Sequence, residues 1–255
     1  MIMKKTLLLC AFSGVLGLSS CSTHYQLTSI ERTRVVIDSR YDANPDAAAA
    51  AFIAPYKHQV DSVMGPVMGV VAHNMAAERP ESDLSNLLSD ILVWAAANYG
   101  EKPVLGIYNM GGIRAALTKG KVTYGDVLDI APFENKIAFT TLTGENLLEL
   151  FRQIARRGGE GVSRGCELVI NKRGELLSAR LHGEEINPQA TYRVTTIDYL
   201  LGGNDGMGAL SKGTDIHSPQ ESSNNTRFII MNYFKEKASR GEAVDAKVEG
   251  RIKIQ

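Results

Sequence analysis

The chain has 255 residues, 44% of them apolar, with 28 basic and 28 acidic side chains and a formal net charge of zero. That is enough apolar material for a well-buried core, and the composition is neither disordered nor fibrous. The balanced charge also carries none of the basic footprint that nucleic-acid binding leaves in a sequence.

Residues 1–20 read as an export signal: Lys4 and Lys5, then the apolar run TLLLCAFSGVLGL, then SSC. The pattern Leu18-Ser19-Ser20-Cys21 resembles a bacterial lipobox, in which Cys21 is acylated and begins the mature chain. The alternative is an ordinary signal peptide cut nearby, leaving a soluble periplasmic protein. Removing residues 1–20 takes away two lysines and no acid, for a net charge of −2. Cys10 leaves with the signal and Cys21 carries the lipid, so Cys166 remains alone and neither an internal disulfide nor a cysteine-rich metal site is expected. Ser22 follows the anchor cysteine where an acid would favour the inner membrane, which points to an outer-membrane lipoprotein facing the periplasm.

Residues 21–30 read as a polar tether and residues 31–255 as the folded domain. RTRVVID (32–38) is a plausible first strand, DAAAAAFIAPYKHQVDSVM (46–64) has helical composition around a proline, and PVMGVVAHNM (66–75) reads as a strand. SDLSNLLSDILVWAAANYG (82–100) places Leu84, Leu87, Leu88, Ile91, Leu92 and Ala95 on one helical stripe, with a polar cap before it and Gly100 after it. PVLGIYN (103–109) is a buried strand, TYGDVLDI (123–130) a short helix and KIAFTTL (136–142) a strand. Thr143 then caps a helix that stops at Gly158. Residues 165–186 form a hairpin turning at NKRG, TYRVTTI (191–197) is a strand, residues 221–239 form a helix and VEGRIKIQ ends the chain as a strand. Helices and strands mix without a strict βαβ period and without an internal repeat. The fold class is therefore α+β, with mixed β-sheets flanked by helices.

Three loops carry residues suited to chemistry. In YNMGGIRAAL (108–117) the strand feeds Gly111 and Gly112, where the backbone can approach a ligand closely. Arg114 at the start of a helix-like stretch can then fork onto phosphate or carboxylate oxygens. The loop matches neither the P-loop nor the dinucleotide fingerprint. APFENK (131–136) carries Phe133, and DYLLGGNDGM (198–207) carries Tyr199 six positions before Asp205. Two loop aromatics can clamp a flat ring, and an aspartate among glycines can accept hydrogen bonds from sugar hydroxyls. Taken singly, each has a plainer reading: an exposed arginine after a turn, two core aromatics and a turn aspartate.

NMGGIR, then PFEN with Phe133 nineteen positions beyond Arg114, then YRVTTIDYLLGGNDGM and a terminal GRIKI resemble the C-terminal domain of the 5'-nucleotidase family, from roughly Pro66 to Gln255. The resemblance implies a substrate-specificity pocket and the fold of that domain. By it, Phe133 and Tyr199 would sandwich a nucleobase, Asp205 would bind ribose, Arg114 would contact phosphate, and Asn109 and Asn135 would add polar contacts. There are departures. Glu81 stands five positions before Asn86 where an arginine would be expected, Arg79 lies nearby but out of step, and GGNDG replaces GGDG.

The resemblance also implies a dimetal phosphatase centre on DxH, GNH and GHxH patterns. The five histidines here are scattered, and the single DxH, Asp215 to His217, has no partner motif. No metal site and no catalytic residue is therefore expected in this chain. The reading that follows is the nucleotide-recognition half of a split periplasmic 5'-nucleotidase, acting in nucleotide catabolism. A separate metallophosphatase chain would contribute the divalent metal pair. The alternative is a non-catalytic nucleoside- or nucleotide-binding lipoprotein.

Overall fold

The computed structural model describes residues 25–255, so the export signal and Cys21 lie outside the described residues. The chain divides between Ala51 and Phe52 into two units. In the first, residues 25–51 are exposed throughout, with a 3₁₀ turn at Ser39–Tyr41 capped by the Asp38 carboxylate. Residues 32–38, expected as the first strand, join no ladder and leave Val35 and Ile37 in solvent. A strand needs a partner for its backbone groups, and no described segment supplies one there. Helix α1 (Ala47–Met64) forms as its alanine-rich composition predicts, with Pro55 inside it and no fully buried residue.

The second unit holds the core. A two-stranded ribbon pairs β1 (Val67–Val71) with β3 (Gly120–Thr123). Helix α2 (Asp83–Ala95) starts at a reciprocal Ser82–Ser85 cap and ends in a 3₁₀ turn before Gly100, whose φ of +70° suits a residue without Cβ. Its Leu84, Leu88, Ile91 and Leu92 are fully buried, as the stripe predicts. The central sheet has five strands in the order β10-β4-β9-β2-β5. These are β2 (Leu105–Tyr108), β4 (Ile137–Thr143), β5 (Gly161–Val162), β9 (Thr191–Ile197) and β10 (Thr214–His217). Strand β9 runs parallel to β2 and antiparallel to β4.

Helix α3 (Tyr124–Ile130) follows β3. Helix α4 (Gly144–Arg156) is capped by Thr143 and buries Leu147, Leu150, Phe151 and Ile154. The hairpin of β6 (Cys166–Ile170) and β7 (Leu176–Leu181) turns at residues 171–174 as expected. With β8 (Glu184–Glu185) and the closing β11 (Ile252–Ile254) it makes a second sheet in the order β11-β6-β7-β8. A short helix α5 (Asp198–Leu201) leaves β9, and α6 (Thr226–Ser239) packs on α2 and β1. Phe139, Phe151 and Phe234 are fully buried at the centre, each worth about 1.5–3 kcal/mol of transfer free energy. Among the described residues no helix is long and apolar enough to cross a membrane. The architecture is α+β, mixed sheets with flanking helices.

Candidate functional site

Strand direction decides where the three motif loops go. Ile137 at the start of β4 pairs with Ile197 at the end of β9, and Leu105 of β2 lies beside Val194 of the parallel β9. The loop entering β4 and the loops leaving β9 and β2 therefore emerge at one end of the sheet. Asp198 ties two of them: its carboxylate accepts from the Lys136 N–H at 3.0 Å and from the Tyr199 N–H at 2.8 Å, while its own N–H donates to Lys136 O at 2.9 Å.

All eight residues singled out in the sequence, Asn109, Gly111, Gly112, Arg114, Phe133, Asn135, Tyr199 and Asp205, line one cavity of about 340 Å³ at this end. Phe133 is 47% exposed and Tyr199 41%, so neither ring is a core aromatic, and neither stacks on another ring among the described residues. Asp205 sits at φ +53°, a conformation that Asp tolerates better than most residues. Its carboxylate accepts from Asn109 Nδ2 at 2.6 Å and from the Tyr199 hydroxyl at 3.2 Å. The negative charge of Asp205 holds the Tyr199 phenol above its ordinary pKa.

The loop carrying Arg114 differs from its sequence reading. A 3₁₀ turn spans Met110–Gly112, and residues 113–119 are not helical. The reason is long-range pairing: Arg114 N–H donates to Ile130 O, and Leu117 exchanges backbone hydrogen bonds with Met75. The N–H groups of Met110, Gly112 and Ile113 are also committed within the protein. The group of this loop with donors left for a ligand is the Arg114 side chain, not a helix N-terminus. That side chain is exposed and makes one long hydrogen bond, 3.4 Å to Gly111 O.

Beneath the loop lies a residue the sequence reading missed. The Glu160 side chain is fully buried and accepts from the Met110 N–H, Arg79 Nη2 and Arg157 Nε. Arg79, which stood out of step in the sequence, is thus spent on Glu160 and on Gly159 O at 2.9 Å. Arg157 bridges towards the cavity, with its Nη2 3.9 Å from Asp205 Oδ2. Partial burial works against its charge and is outweighed by Glu160 and then by Asp205, so its pKa rises. Glu81 is structural: it accepts from Asn86 Nδ2 at 2.7 Å and from the Glu249 N–H at 2.8 Å, holding the terminal strand. Arg227, also missed, anchors the Phe133 loop by donating to Pro132 O at 2.9 Å.

A larger groove of about 450 Å³ lies between α2 and α6, but its charges are already paired, Arg251 with Asp90 and Glu249, and Lys237 with Glu242. Asp215 and His217 surround Arg193, whose guanidinium donates to Asp215 O and to Glu101, the carboxylate that also holds His217. Both side chains of this DxH are thus engaged by charged partners, Asp215 with Arg193 at 3.4 Å and His217 with Glu101 at 2.9 Å. Among the described residues no group of three or more His, Cys, Asp or Glu side chains could hold a metal ion, so the dimetal centre implied by the resemblance does not fit them.

Comparison with known proteins shows the family. The family model "5'-nucleotidase, C-terminal domain" matches residues 63–212. The chain is 29% identical over 240 residues to the trifunctional nucleotide phosphoesterase protein YfkN of Bacillus subtilis, covering 85% of this chain and 16% of that protein. It is 24% identical to the 5'-nucleotidase of Vibrio vulnificus, covering 70% and 32%. The crystal structure of a 5'-nucleotidase precursor from Thermus thermophilus superposes with a TM-score of 0.70 at 26% identity, covering 84% of this chain and 44% of that one. The chain thus spans less than half the length of each of these relatives, and it belongs to the 5'-nucleotidase C-terminal domain family.

Proposed function

We propose that the cavity at the end of the central sheet recognises a nucleotide. Phe133 and Tyr199 take the base between them, Asp205 accepts the ribose hydroxyls, Arg114 pairs with the phosphate, and Asn109 and Asn135 supply further polar contacts. The observation that supports this most directly is the exposure of two aromatic rings on the wall of a cavity that also holds an under-used arginine and a carboxylate. A flat apolar ring, a polyol and an anion are the three parts of a nucleotide, and the cavity offers a partner for each.

Hydrolysis of the phosphate monoester is assigned to a dimetal centre outside the described residues, on a separate metallophosphatase chain. Support for the hydrolytic reading comes from the relatives, a nucleotide phosphoesterase and 5'-nucleotidases. The same proposal puts the chain at the outer membrane facing the periplasm, held by a lipid on Cys21, on the strength of the LSSC pattern for the lipid and of Ser22 for the membrane.

Calorimetric titration of AMP into the full chain, followed by AMP hydrolysis by a secreted metallophosphatase with Mn present, tests both parts. Saturable AMP binding and faster hydrolysis when this chain is added are the expected results. Absence of binding overturns the recognition site. Binding without any effect on hydrolysis overturns the split enzyme and leaves the nucleotide-binding lipoprotein.

A further inference from the structure

We propose that Glu160 is a positioning residue for ribose recognition, because it keeps Arg157 from closing on Asp205; this rests on the nucleotide reading of the cavity. A carboxylate has about four acceptor positions. On Asp205 one position of each oxygen is used, Oδ2 by Asn109 and Oδ1 by the Tyr199 hydroxyl, which leaves one on each for a ligand diol. Arg157 is the group able to take them. Its Nη2 already lies 3.9 Å from Oδ2, and a guanidinium prefers to fork onto a carboxylate with two parallel hydrogen bonds.

What stops it is Glu160. The Arg157 Nε donates to Glu160 Oε1, and Glu160 in turn is fixed by Arg79 from one side and by the Met110 N–H from the other. Its side chain has no exposure to water, so it cannot exchange these partners for solvent. Glu160 therefore acts on the ligand site without touching it. It holds the loop that presents Asn109, and it holds Arg157 short of hydrogen-bond distance, so that two acceptor positions of Asp205 stay open.

The test compares the affinities of AMP and its 2',3'-dideoxy analogue for the full chain by calorimetry. In the unaltered protein AMP is favoured by about tenfold or more, the scale of hydrogen bonds to a charged acceptor. In Glu160→Gln, which loses the ion pair and frees Arg157, the preference falls below about threefold. In the double variant Glu160→Gln with Arg157→Gln no guanidinium remains to seize Asp205, and most of the preference returns. A merely structural role for Glu160 makes the double variant worse than the single one.

Arg157→Gln alone keeps the preference, a result readable even if Glu160→Gln does not fold. Unchanged discrimination in Glu160→Gln, no recovery in the double variant, or loss of discrimination in Arg157→Gln overturns the inference. Failure of the unaltered chain to bind AMP overturns the nucleotide reading itself, and the inference with it. Tight AMP binding without ribose discrimination overturns the inference and leaves the base and phosphate assignments standing.

Discussion

Asn109 Nδ2 donates a 2.6 Å hydrogen bond to Asp205 Oδ2 across 96 residues of sequence. This bond joins the loop after β2 to the loop after α5, and with it the Arg114 side of the cavity to the Tyr199 side. Gly111 lies in the same corner: a Cβ there would sit 3.4 Å from Asp205 Oδ2.

Gly112 is the sharper steric probe of that corner. A Cβ at this position would stand 2.6 Å from Asn109 Oδ1, closer than real Cβ contacts come, so Gly112→Ala must displace the Asn109 amide. Overpacking of this kind costs about 1–3 kcal/mol. Affinity for AMP should fall about tenfold or more, with a lowered melting temperature, in calorimetry and thermal melts on the same samples.

Phe133→Ala and Tyr199→Ala should each remove about 1–3 kcal/mol of base stacking. Because both rings are nearly half exposed and outside the core, stability should change by less than about 1 kcal/mol. Tyr199→Phe keeps the stacking face and removes the hydroxyl donor to Asp205. Equal AMP affinity in wild type and both alanine variants would exclude a base clamp.

Arg227 supports the Phe133 loop from behind. Its side chain is only 11% exposed, its Nη2 bonds Pro132 O, and the neighbouring Thr226 N–H donates to Asn135 O at 2.8 Å. Arg227→Met should cost about 0.5–1.5 kcal/mol of stability, the net worth of a hydrogen bond whose exposed Pro132 acceptor can turn to water instead. Denaturant titration measures this, and weaker AMP binding should accompany it as Phe133 loses its fixed approach.

Alkaline pH should destabilise the protein through its buried phenol. Burial pushes the Tyr108 pKa up to about 12 from 10.0, with Thr226 beside it pulling the other way. Below pH 10.0 the phenol is neutral in both states and its contribution is complete. Between pH 10.0 and about 12 the unfolded chain releases the proton while the fold retains it, so stability falls with rising pH, by roughly 3 kcal/mol. Tyr99 and Tyr233, raised chiefly by partial burial, act in the same direction. Melting curves at pH 9 and 11.5 check it, and Tyr108→Phe should flatten the difference.

Local patterns were legible wherever the chain itself enforces them. The Leu84 to Ala95 stripe, the Thr143 cap, the turn at residues 171–174 and the alternation of the strands all depend on neighbours within a few residues. The helix expected after Arg114 did not form, because Ile130 and Met75 supply backbone partners from far along the chain. RTRVVID had the composition of a strand but met no partner among the described residues.

The eight cavity residues could be named from sequence because the order and spacing of NMGGIR, PFEN and DYLLGGNDGM resemble those of the 5'-nucleotidase C-terminal domain, whereas each residue taken singly read as a turn or core residue. Glu160 left a weaker signal, an acid set in Arg157-Gly158-Gly159-Glu160-Gly161. Its meaning is steric: a Cβ at Gly159 would meet Pro80 O at 2.1 Å, and one at Gly161 would meet Tyr108 O at 2.8 Å. The strand runs in a slot that only glycine fits, and the slot belongs to partners distant in sequence. Sequence by itself thus determined the helices and strands that local pattern enforces and the chemical groups that line the cavity. The tertiary structure decided which of three arginines remains free for an anion, since a buried carboxylate pairs with Arg79 and Arg157 and leaves Arg114 to the cavity, and such pairing is set by through-space distance alone.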